Sequence, residues 1–461
     1  MKKSTIYLSL PFVLLSTALA SCGQKQDDLT QLNVVVYSAG WGDEWIKDVV
    51  TKWEEKNPGY KVDLTAKYEV NNLISKRLAS SKNTDDLYIS TSSSWKTYAA
   101  TNKFMALDDL MEEEVDGVKF IDKVSSEYRS DLYFKAANGE KHVYRLPWTN
   151  GIGGIYYNAK MFETNGWEVP STTDELLNLV KNIVSNPVAV EGDETTAVKP
   201  FVFSGTNTDY FDYGIFNWWM QLAGYDAVKK FYNYDGLENF DFNNPSSPYH
   251  ALKEVVSYWR ELFASKDNYV SGSLSFSKDQ AQNSFFNGRA AMMFNGDWLY
   301  NETLNLGSNS NFEVKLMKTP KFSNAKEENV GYVIGSDQYI AVPATSKKKE
   351  LAKSFIKEMV SNWSLSNFTN KSHGFLAYNN SDTSSIDKTN TYVASCLETR
   401  SSITNKLTDY SSSRKYLDEE IKNAWVESGN RPFLGLLQNE SKTVESCFQT
   451  IYEAAKLAFK S

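Results

Sequence analysis

Between Leu32 and Ile89 short apolar runs alternate with amphipathic helical stretches, and this order constrains the fold more than any other feature of the chain. Leu32 to Tyr37, with Val34-Val35-Val36 at its centre, is continuously apolar, as a strand covered on both faces must be. Ser38-Ala39-Gly40-Trp41-Gly42 breaks the run, and a helix follows in which Trp45, Val49 and Trp53 recur at i, i+4, i+8. Asn57-Pro58-Gly59 stops that helix. Val62 and Leu64 alternate with polar neighbours as a second strand, Leu73 and Leu78 suit a second helix, and Leu87-Tyr88-Ile89 reads as a third strand. A β-α-β-α-β order implies a doubly wound sheet, whose ligands bind at the carboxyl ends of its strands. The loops Ser38 to Gly42 and Ser90 to Ser94 are therefore the first places to look for a site.

A second unit is expected from about Leu146-Pro147, where Gly151-Ile152-Gly153-Gly154 feeds the strand Ile155-Tyr156-Tyr157-Asn158. Thr172 and Glu175 have capping-box spacing ahead of Leu176, Leu177, Val180 and Ile183. Residues 187–199 read as a surface loop, and helical periodicity returns near Trp218 to Leu222 and from Tyr249 to Phe263. The length of 461 residues suits two to three folding units. With 12 Trp, 27 Tyr and 25 Phe, the chain must have either very large cores or surfaces that stack on something. Its 49 basic and 57 acidic residues, a net charge of −8, lack the basic footprint of a nucleic-acid binder.

The first residues read as an address. Lys2 and Lys3 precede an apolar stretch from Ile6 to Ala18 that is too short to span a bilayer, and Leu19-Ala20-Ser21-Cys22 follows. Small residues directly before a Cys resemble the lipobox of bacterial lipoproteins. That resemblance implies a signal peptide over 1–21, acylation of Cys22 and a polar tether over 22–29. The lipid would hold the protein on the outer face of the cell membrane. Cys396 and Cys447 remain, either bridged or as separate buried thiols, and with His142, His250 and His373 they offer no zinc spacing.

Several segments in order resemble the extracellular solute-binding proteins of ABC importers, in their family-one, carbohydrate-type lineage. They are Trp53-Glu54-Glu55-Lys56-Asn57-Pro58-Gly59, Asp85-Asp86-Leu87-Tyr88-Ile89, Tyr156-Tyr157-Asn158, Ala341-Val342-Pro343 and, most distinctive, the run from Phe286 to Trp298. The resemblance spans about residues 30–378 and implies a two-lobe, type II periplasmic-binding-protein fold of α/β class. Each lobe would be a doubly wound sheet, joined to the other by a multi-stranded hinge. Lobe one would hold 30–149 plus 332–377, and lobe two 150–331 plus 378–461. It further implies a monomer that closes around a carbohydrate, an oligosaccharide by expectation, and presents it to the permease subunits. No cofactor, metal or catalytic residue is expected, and no nucleic-acid partner.

Candidate ligand-binding residues follow from the loops and from the resemblance. Trp41, Asp43 and Glu44 follow the first strand, with glycines on both sides of the ring. The loop after the third strand offers Ser92, Ser93 and Trp95, although the family frequently carries an acidic residue there. Trp148 and Asn150 lie at the expected hinge, and Tyr210 and Tyr213 resemble the aromatic wall of lobe two. Trp298 matches a stacking position of the family, beside Asp297. Rings of this kind take the C–H faces of sugars while polar groups hold the hydroxyls. Each has a plainer alternative: Trp95 or Trp298 as core, Asp297 as a helix cap. Other ligands stay open. Asp43, Glu44 and Asp297 would suit a polyamine, and a lipoprotein sensor or adhesin would keep the fold without transport. An enzyme is not expected, since no nucleophile elbow, metal cluster or phosphate loop is present.

Overall fold

The computed structural model describes residues 29–38, 40–92, 94–129, 132–135, 139–232, 236–332, 338–407, 431–439 and 441–459. The signal segment, Cys22 and Ser93 lie outside the described residues. Two sheets organise the chain. The first has five strands in the order Lys61–Lys67, Gln31–Tyr37, Leu87–Ser90, Tyr339–Ala341 and Leu146–Pro147. The first three run parallel, with Val34 beside both Leu64 and Leu87. Tyr339–Ala341 runs antiparallel to its neighbours on both sides. Leu146–Pro147 thus closes the first sheet rather than opening the second unit.

The apolar run of the first strand is explained by its central place. Helix Glu44–Lys56 buries Trp45, Ile46, Val49 and Trp53. Trp53 meets Phe355 of helix Lys349–Met359 edge to face at 5.6 Å, and its indole N–H donates to Ser354 Oγ at 3.2 Å. Late chain therefore packs back onto the early unit.

The second sheet orders Lys199–Phe201, Ala290–Gly296, Gly153–Asn158 and Val314–Leu316. Ala290–Gly296 is buried along its whole length, as its apolar composition requires. Helix Thr173–Ser185 starts on the expected capping box of Thr172 and Glu175. Trp218 and Trp219 of helix Asp212–Ala223 are fully buried, and their indole N–H groups donate to Pro320 O and Pro248 O. The expected loop of 187–199 instead holds a small hairpin, Ala189–Val190 against Asp193–Ala197. Gly192, at φ +76°, supplies the left-handed turn residue that joins its strands.

Several backbone segments connect the two sheets side by side. Trp148 N–H donates to Gln338 O, Asn150 N–H to Phe375 O, and Ala377 N–H to Trp148 O, all within 2.8 to 2.9 Å. Thr149 also bridges Leu376. Cys396 and Cys447 are separate buried thiols. Among the described residues no helix is long and apolar enough to cross a membrane.

Candidate functional site

Aromatic side chains from both sheets converge at the carboxyl ends of the parallel strands. Trp41, four residues past the first sheet's leading strand, meets Trp298, just past Ala290–Gly296, edge to face at 5.8 Å. Tyr210 and Tyr213, at the entry to helix Asp212–Ala223, lie 6.2 and 5.7 Å from Trp298. The approach needs a glycine. At Gly40, with φ +76°, an added Cβ would stand 3.0 Å from that of Trp298. Asn301 Nδ2 donates to Gly40 O at 2.9 Å, so a hydrogen bond also joins the two walls.

These walls line an open cavity of about 200 Å³. Tyr37, Tyr68 and Thr91 join Trp41 on one side; Asn207, Asp209, Lys278 and Glu302 join Trp298, Tyr210 and Tyr213 on the other. Burial pushes the Tyr37 phenol up to about 12, with the neighbouring Tyr68 and Glu302 adding to the shift. Burial also raises the Glu302 carboxyl above its usual range, against the pull of Lys278 and of Gln282, which donates to it at 2.6 Å. Two of the larger hollows differ in kind. One of about 420 Å³ is lined by Lys229, Arg400 and Lys406, and one of about 1020 Å³ runs along helix Thr391–Ser402. Neither is walled by aromatic rings from both sheets.

Of the residues singled out from the sequence, the structure brings Trp41, Tyr210, Tyr213 and Trp298 into this cavity. Ser92 lies one residue past Thr91, and its Oγ accepts from Ser94 N–H at 3.3 Å. The others stand elsewhere. Asp43 and Glu44 both pair with Lys47 at the head of their helix, at 2.9 and 3.1 Å, because that position favours local ion pairing. Trp95 packs inward, edge to face with Phe134 and with the Arg145 guanidinium 3.6 Å over its ring. Trp148 is fully buried among Trp45, Phe368 and Tyr378. Asn150 accepts from Tyr128 and donates to Glu127 at the crossing between sheets. Asp297 is fully buried behind Trp298, and burial pushes its carboxyl up to about 6 against the attraction of Arg400. Its backbone carbonyl accepts from the Tyr392 hydroxyl at 2.6 Å.

The sequence reading passed over Tyr37, Tyr68, Lys278 and Glu302. Tyr37 ends the first strand and Tyr68 follows the last residue of the second, so the carboxyl-end rule itself was the available signal. Lys278 and Glu302 come from separate helices, Lys278–Phe286 and Leu299–Leu304, and no local pattern marks them.

Comparison with known proteins agrees with this architecture. The model of the bacterial extracellular solute-binding protein family matches residues 39–362. The chain belongs to that family. A curated relative, the multiple sugar-binding protein of Streptococcus mutans, is 23% identical over 327 residues, which cover 69% of this chain and 68% of that one. Among solved structures, apo RafE from Streptococcus pneumoniae superposes with a TM-score of 0.67 at 16% identity, covering 93% of this chain and 97% of that one. RafE in complex with raffinose gives 0.65 at 17% identity, covering 93% and 99%. A chitin oligosaccharide binding protein gives 0.64 at 17%, covering 90% and 94%. At these identities the structural likeness establishes the two-lobe α/β fold of solute-binding proteins. The family is one of binding proteins, so the chain is non-enzymatic.

Proposed function

We propose that this solute-binding protein captures a carbohydrate, an oligosaccharide, in the cavity between its two sheets and hands it to the membrane subunits of an ABC importer. The carrying observation is the aromatic wall on both sides of one cavity, with Trp41 facing Trp298. Sugar rings present C–H faces to such rings and hydroxyls to polar groups such as Asp209, Glu302, Asn207 and Thr91. The sugar-binding relative supports the ligand class. Asp43, Glu44 and Asp297, the carboxylates that would have suited a polyamine, lie outside the cavity, and Lys278 offsets the acids inside it.

In this reading lobe one comprises 30–149 and 332–377, lobe two 150–331 and 378–461, and the segments around Thr149, Leu376 and Gln338 act as the hinge. Ligand drives closure by binding the closed form better than the open one. The lipobox resemblance supports anchoring of a monomer by Cys22 to the outer face of the membrane. Native mass spectrometry of the protein lacking its anchor, before and after unfolding and refolding, tests the ligand class. A hexose-based mass is expected; a polyamine, peptide or metal mass would overturn it. Cys22→Ala should release soluble protein into the medium, and continued membrane retention would end the lipoprotein reading.

A further inference from the structure

The hollow of about 420 Å³ shares no lining residue with the aromatic cavity. Its volume lies within the ~300–1,000 Å³ range of small-molecule pockets. Three half-buried cations line it: Lys229 of helix Tyr225–Tyr232, Arg400 of helix Thr391–Ser402, and Lys406. Among the described lining residues the one acid is Glu127, and its Oε1 already accepts from Asn150 Nδ2 at 3.0 Å. Two further acids lie near and are engaged. Glu327 accepts from Tyr225 N–H at 3.0 Å and from Asn405 Nδ2 at 3.2 Å. Asp297 is fully buried, and Arg400 and Lys406 attract it. The Arg400 guanidinium is held in place: Nη1 donates to Asn150 O, and the group stands 4.6 Å over the Phe375 ring. Its remaining N–H donors take no partner among the described residues. A fixed guanidinium with donors to spare matches the paired oxygens of a carboxylate or phosphate.

We propose that this hollow binds a small organic oxyanion, a carboxylate or a phosphate ester. Its charged oxygens lie on Arg400, Lys406 and Lys229, and its carbon body lies against Ile152, Ile403 and Tyr225, which complete the lining. Half-buried cations attract such a group more strongly than surface ones, because less water screens them. The inference goes beyond the carbohydrate reading and does not rest on it.

The test is calorimetric titration of the full mature chain, in a chloride buffer, with succinate, citrate and glycerol 3-phosphate. At least one is expected to bind one to one, and the acids against the ester tell which oxyanion the hollow prefers. Glycerol, the uncharged counterpart, should not bind. Lys229→Ala should weaken the anion roughly tenfold, as loss of a charged hydrogen bond does, and Arg400→Gln should weaken it further. Arg400→Lys, which keeps the charge without the planar fork, should fall between wild type and Arg400→Gln. Trp298→Ala should leave the anion's affinity unchanged. If the Arg400 variants fail to fold, Lys229→Ala decides alone. The proposal is overturned if none of the three anions binds, or if Lys229→Ala binds them as the wild type does. It is also overturned if Trp298→Ala abolishes binding, which would put the anion in the aromatic cavity. None of these outcomes touches the carbohydrate reading, which sugar titration tests separately.

Discussion

The two walls of the cavity are built differently. The first sheet contributes Tyr37, Trp41, Tyr68 and Thr91, all at the ends of parallel strands and none of them Asp, Glu, Lys or Arg. The second contributes Tyr210, Tyr213 and Trp298, together with the charged Asp209, Lys278 and Glu302. Shape is thus shared between the walls, and charge is confined to one of them. A parallel sheet delivers its strand ends to a single edge, which makes a compact aromatic face easy to build. In the second sheet Ala290–Gly296 is parallel to one neighbour and antiparallel to the other, and Lys278 and Glu302 come from separate helices.

Charge buried behind the second wall should carry the largest measurable cost. The Asp297 carboxyl is raised from 3.8 to about 6 in the folded chain, chiefly by burial. A carboxyl raised on folding leaves stability intact below its unfolded pKa and erodes it as pH climbs through the folded value. Asp297→Asn should therefore match the wild type near pH 4. It should exceed the wild type at pH 8 by on the order of 3 kcal/mol in urea unfolding. A variant less stable than the wild type at pH 8 would mean that the attraction of Arg400 outweighs desolvation.

Trp298 touches both walls, through Trp41 on one side and Tyr210 and Tyr213 on the other. Its removal should be the most damaging change for binding. Trp298→Ala should weaken the best sugar by about 2 kcal/mol, roughly 30-fold in Kd, as aromatic anchors do. Unchanged affinity in calorimetry would make the ring a packing element alone. Glu302→Gln sharpens the contrast in charge at a smaller scale, about 1 kcal/mol. Sugar hydroxyls donate better to an ionised carboxylate, and burial raises the carboxyl of Glu302. Wild-type affinity should thus fall as pH drops through that raised value, and the variant should lack this acid limb.

The same contrast separates what was legible in the sequence from what was not. Of the first wall, Trp41 could be read because continuous apolar strands, an amphipathic helix and flanking glycines are local signals, whereas Tyr37 and Tyr68 were passed over. Trp298 and the Tyr210–Tyr213 run were legible only through family resemblance. Trp95 and Trp148 stayed ambiguous because an indole near a loop looks alike whether it faces ligand or core. Arg145 packs over Trp95, and Trp45 and Phe368 surround Trp148, and these partners are distant in sequence. Lys278 and Glu302 meet at 3.8 Å across two helices. Only folding brings them together, so no spacing rule could have named them.

The smallest effect concerns how the walls are held against each other. Asn301 Nδ2 donates to Gly40 O, and the aromatic contact of Trp41 with Trp298 lies beside it. Under the proposed lobe bounds this bond joins lobe two to lobe one, so its net worth of about 1 kcal/mol would go to the closed form. Removing it lowers the closed population before ligand arrives, and apparent affinity falls with the fraction of binding-competent protein. Asn301→Ala should weaken every sugar that binds by the same factor, about fivefold at most, whatever its length. A length-dependent loss in Asn301→Ala would move that residue from holding the walls together to touching the ligand, and the division of labour between the walls would have to be redrawn.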